Sequence, residues 1–554
     1  MTDAVGAVAA ATVGTLGGGP PDLTQPILAF ADGQLAVVAA AILVLVWGLH
    51  TALAHPIRWR WLVPVVVLAA AGAGLRAWVG PGPADVGEVT RWNTLYAALP
   101  GSRPQFASAV YLADLLRSWG APTDLLYLSF GPLVSGLVVV ATAWLAHLLG
   151  LRPLFALVAA GLVALWPQHV VNGAAASMTI WASLLLLGQA IVALAPAQEP
   201  IWRLLGLLGW TTLACLARPE LRIAPLFALL WAWQWPWRHK VALVLGCLLL
   251  VGGLQTGDAV DRLHAPEVLD FGHLAWLMWR WEAAPIWLIW LGFLGLGWHQ
   301  PRPRALALLA PVVALFAIYH LNRDGNGVVG PWRYFLSFLP LLCVGAGRMA
   351  GHFATSRLRT AAVIGVFAGS LAPYAPLWLT PTDMNAEFAA VRSTGAAVVA
   401  ASKVLVLDNH DGDLAMGAEH LERVLLALHL ATGLRWQEAH PRGPEGPLGH
   451  LGDLPVYGLG AWLRLSAKPP GPTAVWCGLA TPQHMRDAIT QQASPTSEVA
   501  PAQAAAKWQT VTVWNATAAP GGWCPPQLAD GLRSPKCTLV LGWIESGTAA
   551  GGQP

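Results

Sequence analysis

Few residues in this chain of 554 can do chemistry, because only 11% of them are Asp, Glu, Lys or Arg. Two carboxylates, Asp85 and Glu88, close the run Gly80-Pro81-Gly82-Pro83-Ala84-Asp85-Val86-Gly87-Glu88. A loop carboxylate is either a solvated charge or, within hydrogen-bond reach of a hydroxyl, a general base. Arg218 and Arg222 flank Pro219-Glu220, and Arg333 stands beside Tyr334. Arginine grips phosphate bidentately, and near a membrane surface it equally serves as a snorkelling anchor. His169 follows Pro167-Gln168; a lone histidine is more often a satisfied polar residue than a ligand. Asp408-Asn409-His410-Asp411-Gly412-Asp413 is oxygen-rich like a cation loop. Its glycine position and missing downstream Glu do not fit an EF-hand, which leaves a solvated turn. The chain has neither a nucleotide-binding glycine fingerprint nor a Ser-His-Asp signature.

These residues are held by an apolar scaffold. Hydrophobic residues make up 56% of the chain and mean hydropathy is +0.54, whereas a soluble chain carries about 25% charged residues. The charges fall in short gaps between apolar stretches, as the cost of charge in hydrocarbon requires. Measured against the roughly 20 residues needed to cross a bilayer, the stretches are 34–53, 61–79, 130–149, 153–171, 177–195, 203–217, 223–237, 241–255, 284–298, 305–321, 335–350 and 360–379. The expected fold is a polytopic α-helical membrane protein of about 12 transmembrane helices over residues 33–380. Residues 1–32 lack Lys and Arg, so they do not read as a signal peptide, and a flexible tail is expected. A net charge of +3 without a basic run excludes a nucleic-acid partner.

Alternate loops carry the positive charge: Arg58 and Arg60, Arg152, Arg203, Arg238 and Lys240, Arg302 and Arg304, then Arg348, Arg357 and Arg359, with Glu199 the one acid. The opposite loops hold Asp85, Glu88, Asp114, Asp124, Glu220, Asp258, Asp261, Glu267, Asp270, Glu282 and Asp324. The positive-inside rule makes the basic loops cytoplasmic. The N-terminus, the acidic loops and the C-terminal region are then extracytoplasmic, as in a bacterial inner membrane. Two outer loops, 80–129 and 256–283, are long enough to imply a role. The first contains an amphipathic run from Tyr96 to Trp119 that suits a helix lying in the interface. The second clusters Trp276, Trp279 and Trp281 around Arg280, as interface belts do.

Residues 381–554 are less apolar and are expected to form a soluble extracytoplasmic α/β domain. Strands are predicted at 403–407, 474–476, 508–514 and 538–541, and a helix at 421–430. Cys215, Cys247 and Cys343 lie in spanning stretches, where a thiol acts as a small hydrophobe. Of Cys477, Cys524 and Cys537, the last two are the expected disulfide pair in an oxidising compartment.

The order of several short motifs resembles a known family. A helix ends in Leu75-Arg76-Ala77-Trp78, the acid Asp85 follows, and Arg103-Pro104-Gln105 opens the interfacial run. Then come Gly131-Pro132-Leu133, Leu165-Trp166-Pro167-Gln168-His169, Leu216-Ala217-Arg218-Pro219-Glu220, and Trp332-Arg333-Tyr334-Phe335 before Phe338-Leu339-Pro340. Over about residues 60–380 this is similar to the GT-C superfamily, the polytopic glycosyltransferases of protein-mannosyltransferase and lipid A aminoarabinosyltransferase type that use polyprenyl-phosphate-linked sugars. The resemblance implies an inverting transfer to an extracytoplasmic protein, lipid or glycan acceptor. Asp85 would be the base, with Glu88 as a second carboxylate or a metal or phosphate-side contact. Arg218, Arg333 and Arg222 would hold the donor phosphate, and Arg103, His169 and Tyr334 would line the site. No metal ligand set is implied, although a divalent metal would be compatible. The chain departs from the family pattern in two places: it has no adjacent Asp-Glu pair, and Arg103-Pro104-Gln105 replaces the usual His-Pro-Pro. Two alternatives follow, a catalytically inactive scaffold for envelope glycan assembly and a transporter. The second lacks the internal repeats and midplane charges usual in carriers.

Overall fold

The computed structural model describes residues 24–54, 59–79, 108–174, 177–195, 200–251, 285–298, 302–320, 332–375, 402–407, 424–438, 446–458, 473–477, 507–515 and 538–545, with a few positions at 300 and between 392 and 400. Its helices are α1 (Thr24–Ala54), α2 (Trp59–Val79), α3 (Ser108–Ser118), α4 (Thr123–Leu148), α5 (Pro153–Leu165), α6 (Pro167–Gly173), α7 (Met178–Leu194) and α8 (Pro200–Cys215). They continue as α9 (Ala224–Trp231), α10 (Trp237–Val251), α11 (Ile286–Gly297), α12 (Arg302–His320), α13 (Leu339–Phe353) and α14 (Arg357–Leu371). Short 3-10 helices at Pro219–Ile223 and Trp332–Ser337 precede α9 and α13.

By length and hydropathy, two described helices can cross a membrane, and a third can if α5 and α6 count as one span bent by 60°. All the apolar stretches overlap helices, but their ends and lengths differ from expectation. The first helix starts at Thr24, inside the expected tail, where Pro26 suits a first turn. Helix α4 starts at Thr123 behind an extended Pro122, taking in the end of the expected loop 80–129. The stretch 223–237 yields an α9 of only eight residues, about 12 Å long and too short to span.

The bundle is organised around α7. Every residue from Met178 to Ala193 is buried, the signature of a helix apolar on all faces and surrounded by others. It packs against α4, α8 and α9. Helices α11 and α13 approach backbone to backbone through Gly292, Gly295 and Gly345, and a Cβ at Gly295 would overlap the Gly345 carbonyl. Small residues allow such contact where dispersion drives association. On the outside, Leu45, Val67, Leu137, Leu249 and Leu358 project from five different helices. An apolar surface that extensive would be a liability in water and suits lipid.

The C-terminal strands are β1 (Val404–Leu407), β2 (Trp436–Glu438), β3 (Gly449–Leu451), β4 (Leu454–Gly458), β5 (Thr473–Cys477), β6 (Lys507–Asn515) and β7 (Thr538–Glu545). They form one sheet in the order β2-β3-β4-β1-β5-β7-β6. Its centre, β4-β1-β5, is parallel and its flanks are antiparallel. Val404, Leu405 and Val406 are buried, as in a central strand covered on both faces. A helix at 424–432 covers it. Strands β2, β3 and β4 were not expected; each has three to five residues, too few for a periodicity signal.

His429 on that covering helix meets the Leu434 carbonyl at 2.7 Å. Burial lowers its pKa below the ordinary 6.5, against the opposing pull of that hydrogen bond, and the charges of Arg435 and Arg117 add to the depression. Arg117 belongs to α3, so the sheet domain lies at the same end of the bundle as α3. The sign is set by linkage: the unfolded chain binds the proton more tightly, so this contribution is present above about pH 6.5 and is lost as pH falls below it. Thermal melts of the purified protein should show the midpoint falling as the pH drops below about 6.5. His429→Gln should flatten that slope, and an unchanged slope would refute the assignment.

Candidate functional site

The α5–α6 break sets the geometry. Trp166 takes an extended conformation (φ −64°, ψ 123°) ahead of Pro167, as the residue before proline must. Proline has no N–H to give the carbonyl four residues back, which is Val163, and the bend also strips Ala164 of its helical donor. Arg76, fully buried near the end of α2, fills both vacancies. Its Nη2 donates to the Val163 carbonyl at 3.3 Å and its Nη1 to that of Ala164 at 3.0 Å. Nη1 also reaches the Gly72 carbonyl at 2.7 Å, and Nη2 lies 2.5 Å from His169 Nδ1. With a guanidinium as its neighbour, Nδ1 is the accepting nitrogen. Gly173 makes room for this arrangement, since a Cβ there would overlap Ser135 Oγ and the Arg76 side chain. Among the described residues, Arg76 Nε, Ser135 Oγ and His169 Nε2 are buried without a hydrogen-bond partner, and no carboxylate pairs with Arg76.

Arg218 lies at the same end. It stands in extended conformation (φ −155°, ψ 149°) ahead of the Pro219–Ile223 turn and is 5% exposed. Its Nη1 donates to Thr179 Oγ1 at 2.8 Å, in the first turn of α7. Ser177 caps that helix by accepting from the Thr179 N–H at 3.3 Å. Arg218 therefore sits beside the positive end of a helix dipole, a combination that attracts anions. One turn deeper, Ser183 donates to the Leu336 carbonyl at 2.5 Å, tying α7 to the Trp332–Ser337 turn. That turn packs on α6 as well, with Phe335 against Trp166 at 6.3 Å.

Both flanks of the first-loop segment are pinned here. Val79, at the end of α2, is buried with Val170 and Ala174. Ser108, at the start of α3, donates its N–H to the Leu216 carbonyl and accepts from Trp181 Nε1, both at 2.8 Å.

No family model matches the sequence, and no curated protein matches it. Among solved structures, ArnT from Cupriavidus metallidurans bound to undecaprenyl phosphate is similar over 90% of this chain and 100% of its own, at 13% identity and a TM-score of 0.47. The oligosaccharyltransferase AglB from Archaeoglobus fulgidus, in complex with an inhibitory peptide and a dolichol-phosphate, is similar over 68% of this chain at 11% identity and a TM-score of 0.44. This chain spans about two thirds of its length, 65%. The mycobacterial arabinofuranosyltransferase AftD is matched over 64% of this chain and 30% of its own, at 16% identity and a TM-score of 0.42.

Of the residues singled out in the sequence, His169 and Arg218 fall at this end of the bundle. Arg222 is half-buried in the turn just after Arg218. Arg333 and Tyr334 lie in the 3-10 turn ahead of α13, and their side chains lie outside the described residues. Asp85, Glu88 and Arg103, the second outer loop, Asp408–Asp413, Cys524 and Cys537 also lie outside them. His169 sits on the short α6, beyond the break. Among the described residues, no group of three His, Cys, Asp or Glu side chains could hold a metal ion. Sequence reasoning gave Arg76, Ser135 and Thr179 no role. For Arg76 the signal was present, a single charge inside an apolar run.

Proposed function

We propose that this chain is a GT-C-type glycosyltransferase that moves a sugar from a polyprenyl-phosphate donor to an acceptor hydroxyl outside the cytoplasm, with inversion. The observation that carries the reading is that buried Arg218, at the N-terminus of α7, the Arg76–His169 pair and the Trp332–Ser337 turn, which packs on both α6 and α7, lie at the end of the bundle that holds the first-loop anchors. The order of motifs from Leu75 to Pro340 supports it. Two cationic side chains and a helix N-terminus suit a phosphate, and the apolar outer surface suits a lipid tail.

In the proposed reaction Asp85 accepts the proton of the acceptor hydroxyl as its oxygen attacks the anomeric carbon. The bond from that carbon to the phosphate oxygen breaks, and the lipid phosphate departs with the electron pair. Arg218 and Arg333 stabilise the charge that develops on it. Asp85 is six residues beyond the anchored Val79, so a reach of about 20 Å includes the cluster. The basic end of the bundle would face the cytoplasm, and the sheet domain would lie outside with the site. The sugar and the acceptor are not specified by this geometry.

The test is binding of a short polyprenyl phosphate to the purified full chain. Saturable binding is expected, at least about tenfold weaker in Arg218→Ala and partly recovered in Arg218→Lys, which keeps the charge but loses the fork. Binding indifferent to both substitutions would reject Arg218 as a phosphate contact. Absence of binding in the parent protein would favour a carrier.

A further inference from the structure

The opposite end of the bundle has a cavity of about 440 Å³. It opens between the end of α7, the start of α8, the turn joining α9 to α10, and the start of α12. Arg203, His239, Arg304, Gln234, Trp231 and Trp235 line it, and no carboxylate does among the described residues. Arg203 lies over the Trp235 ring at 4.5 Å and donates to the Ala193 carbonyl at 2.6 Å, so its guanidinium is held at the wall. Among the described residues, the wall therefore carries two guanidinium groups and an imidazole with no carboxylate against them, a balance that favours an anion.

We propose that this cavity binds a phosphate oxyanion, carried by an anionic lipid headgroup of the adjacent leaflet or by a small phosphorylated molecule. Arg203 and Arg304 supply charge, His239 and exposed Gln234 supply further polar groups at the wall, and the oxyanion balances the uncompensated positive charge. Half-exposed Trp233 and Trp298 and the more exposed Trp237 sit on the same end, the residue type that membrane interfaces favour. Glu199 immediately precedes the lining residue Pro200 and lies outside the described residues, so its effect is part of the test.

The experiment uses the delipidated full chain in neutral detergent, read by native mass spectrometry and thermal shift. Phosphatidylglycerol should bind and raise the melting temperature, while phosphatidylcholine should not. Gln234→Glu places a carboxylate on an exposed lining position without disturbing the core, and should weaken binding about tenfold; Arg203→Gln with Arg304→Gln should abolish it. Binding should persist in Arg218→Ala, which separates this site from the opposite end, and should hold or tighten in Glu199→Gln. Competition by millimolar inorganic phosphate would identify a small phosphorylated ligand; indifference to it would identify the lipid. Equal binding of both lipids with no response to phosphate, or a Gln234→Glu protein that binds like the parent, would overturn the proposal.

Discussion

Asp85→Asn is expected to lower kcat by about 10²–10⁴-fold while changing lipid-phosphate affinity less than twofold. The amide keeps the size and polarity of the carboxylate but cannot take a proton, so the loss should fall on the chemical step. If Asp85 were a solvated loop charge, the substitution would be silent on both measures. The assay is radiolabelled or fluorescent sugar transfer from a polyprenyl-phosphate donor, with binding measured in parallel on the same preparation. Full activity in the mutant would remove Asp85 as the base, and Glu88→Gln would then be the next variant to measure. Loss of binding together with activity would instead show that the segment after Val79 organises the phosphate end of the site. The inactive-scaffold reading makes a separate demand: lipid binding with no transfer even in the parent protein.

Arg76→Met should cost about 3–5 kcal/mol of stability, because the carbonyls of Val163 and Ala164 lose donors that the α5–α6 break cannot replace. Methionine fills a similar volume, so the loss reports hydrogen bonds rather than a cavity. The compensating variant is Pro167→Ala. It restores an N–H that can reach the Val163 carbonyl and lets the bend straighten. The double variant should recover part of the loss, a coupling measurable in a double-mutant cycle. If Arg76→Met melts like the parent, the carbonyls find other donors and Arg76 does not hold the bend. If the double variant is additive, the break does not depend on Pro167. Straightening should also shift α6 against the Trp332–Ser337 turn that packs on it, so the rescued protein should stay poor in lipid-phosphate binding.

Much of the scaffold was legible in the sequence. Long apolar runs such as 61–79 and 177–195 found helices within a few residues, since burial and lipid impose the same requirement on every side chain there. The run at 130–149 began seven residues late because Pro122 and Asp124 look like loop chemistry, yet proline just ahead of a helix and an acid in its first turn both suit a helix start. The strand Val404–Leu407 was readable from its unbroken apolar run, whereas β2 and β3 depend on pairing partners that no local pattern reveals. The site was only partly legible. His169 and Arg218 stood out by residue type and neighbouring proline, but their relation to Arg76 and Thr179 depends on contacts 93 and 39 residues apart in the chain. Arg76 was noticed as part of a pattern. That it replaces donors missing at Pro167 could be seen only once the bend and the guanidinium were placed together.

The same arrangement bears on how the protein is made. The guanidinium that completes the kinked segment is encoded 87 residues before the Val163 carbonyl it serves. A chain inserted from its N-terminus therefore carries the repair in α2 before the break emerges. The kinked segment meets a waiting donor rather than bare hydrocarbon, so α2 acts as a template for the insertion of α5 and α6. Transplanted alone into a host sequence, residues 153–173 should insert less readily than their hydropathy suggests.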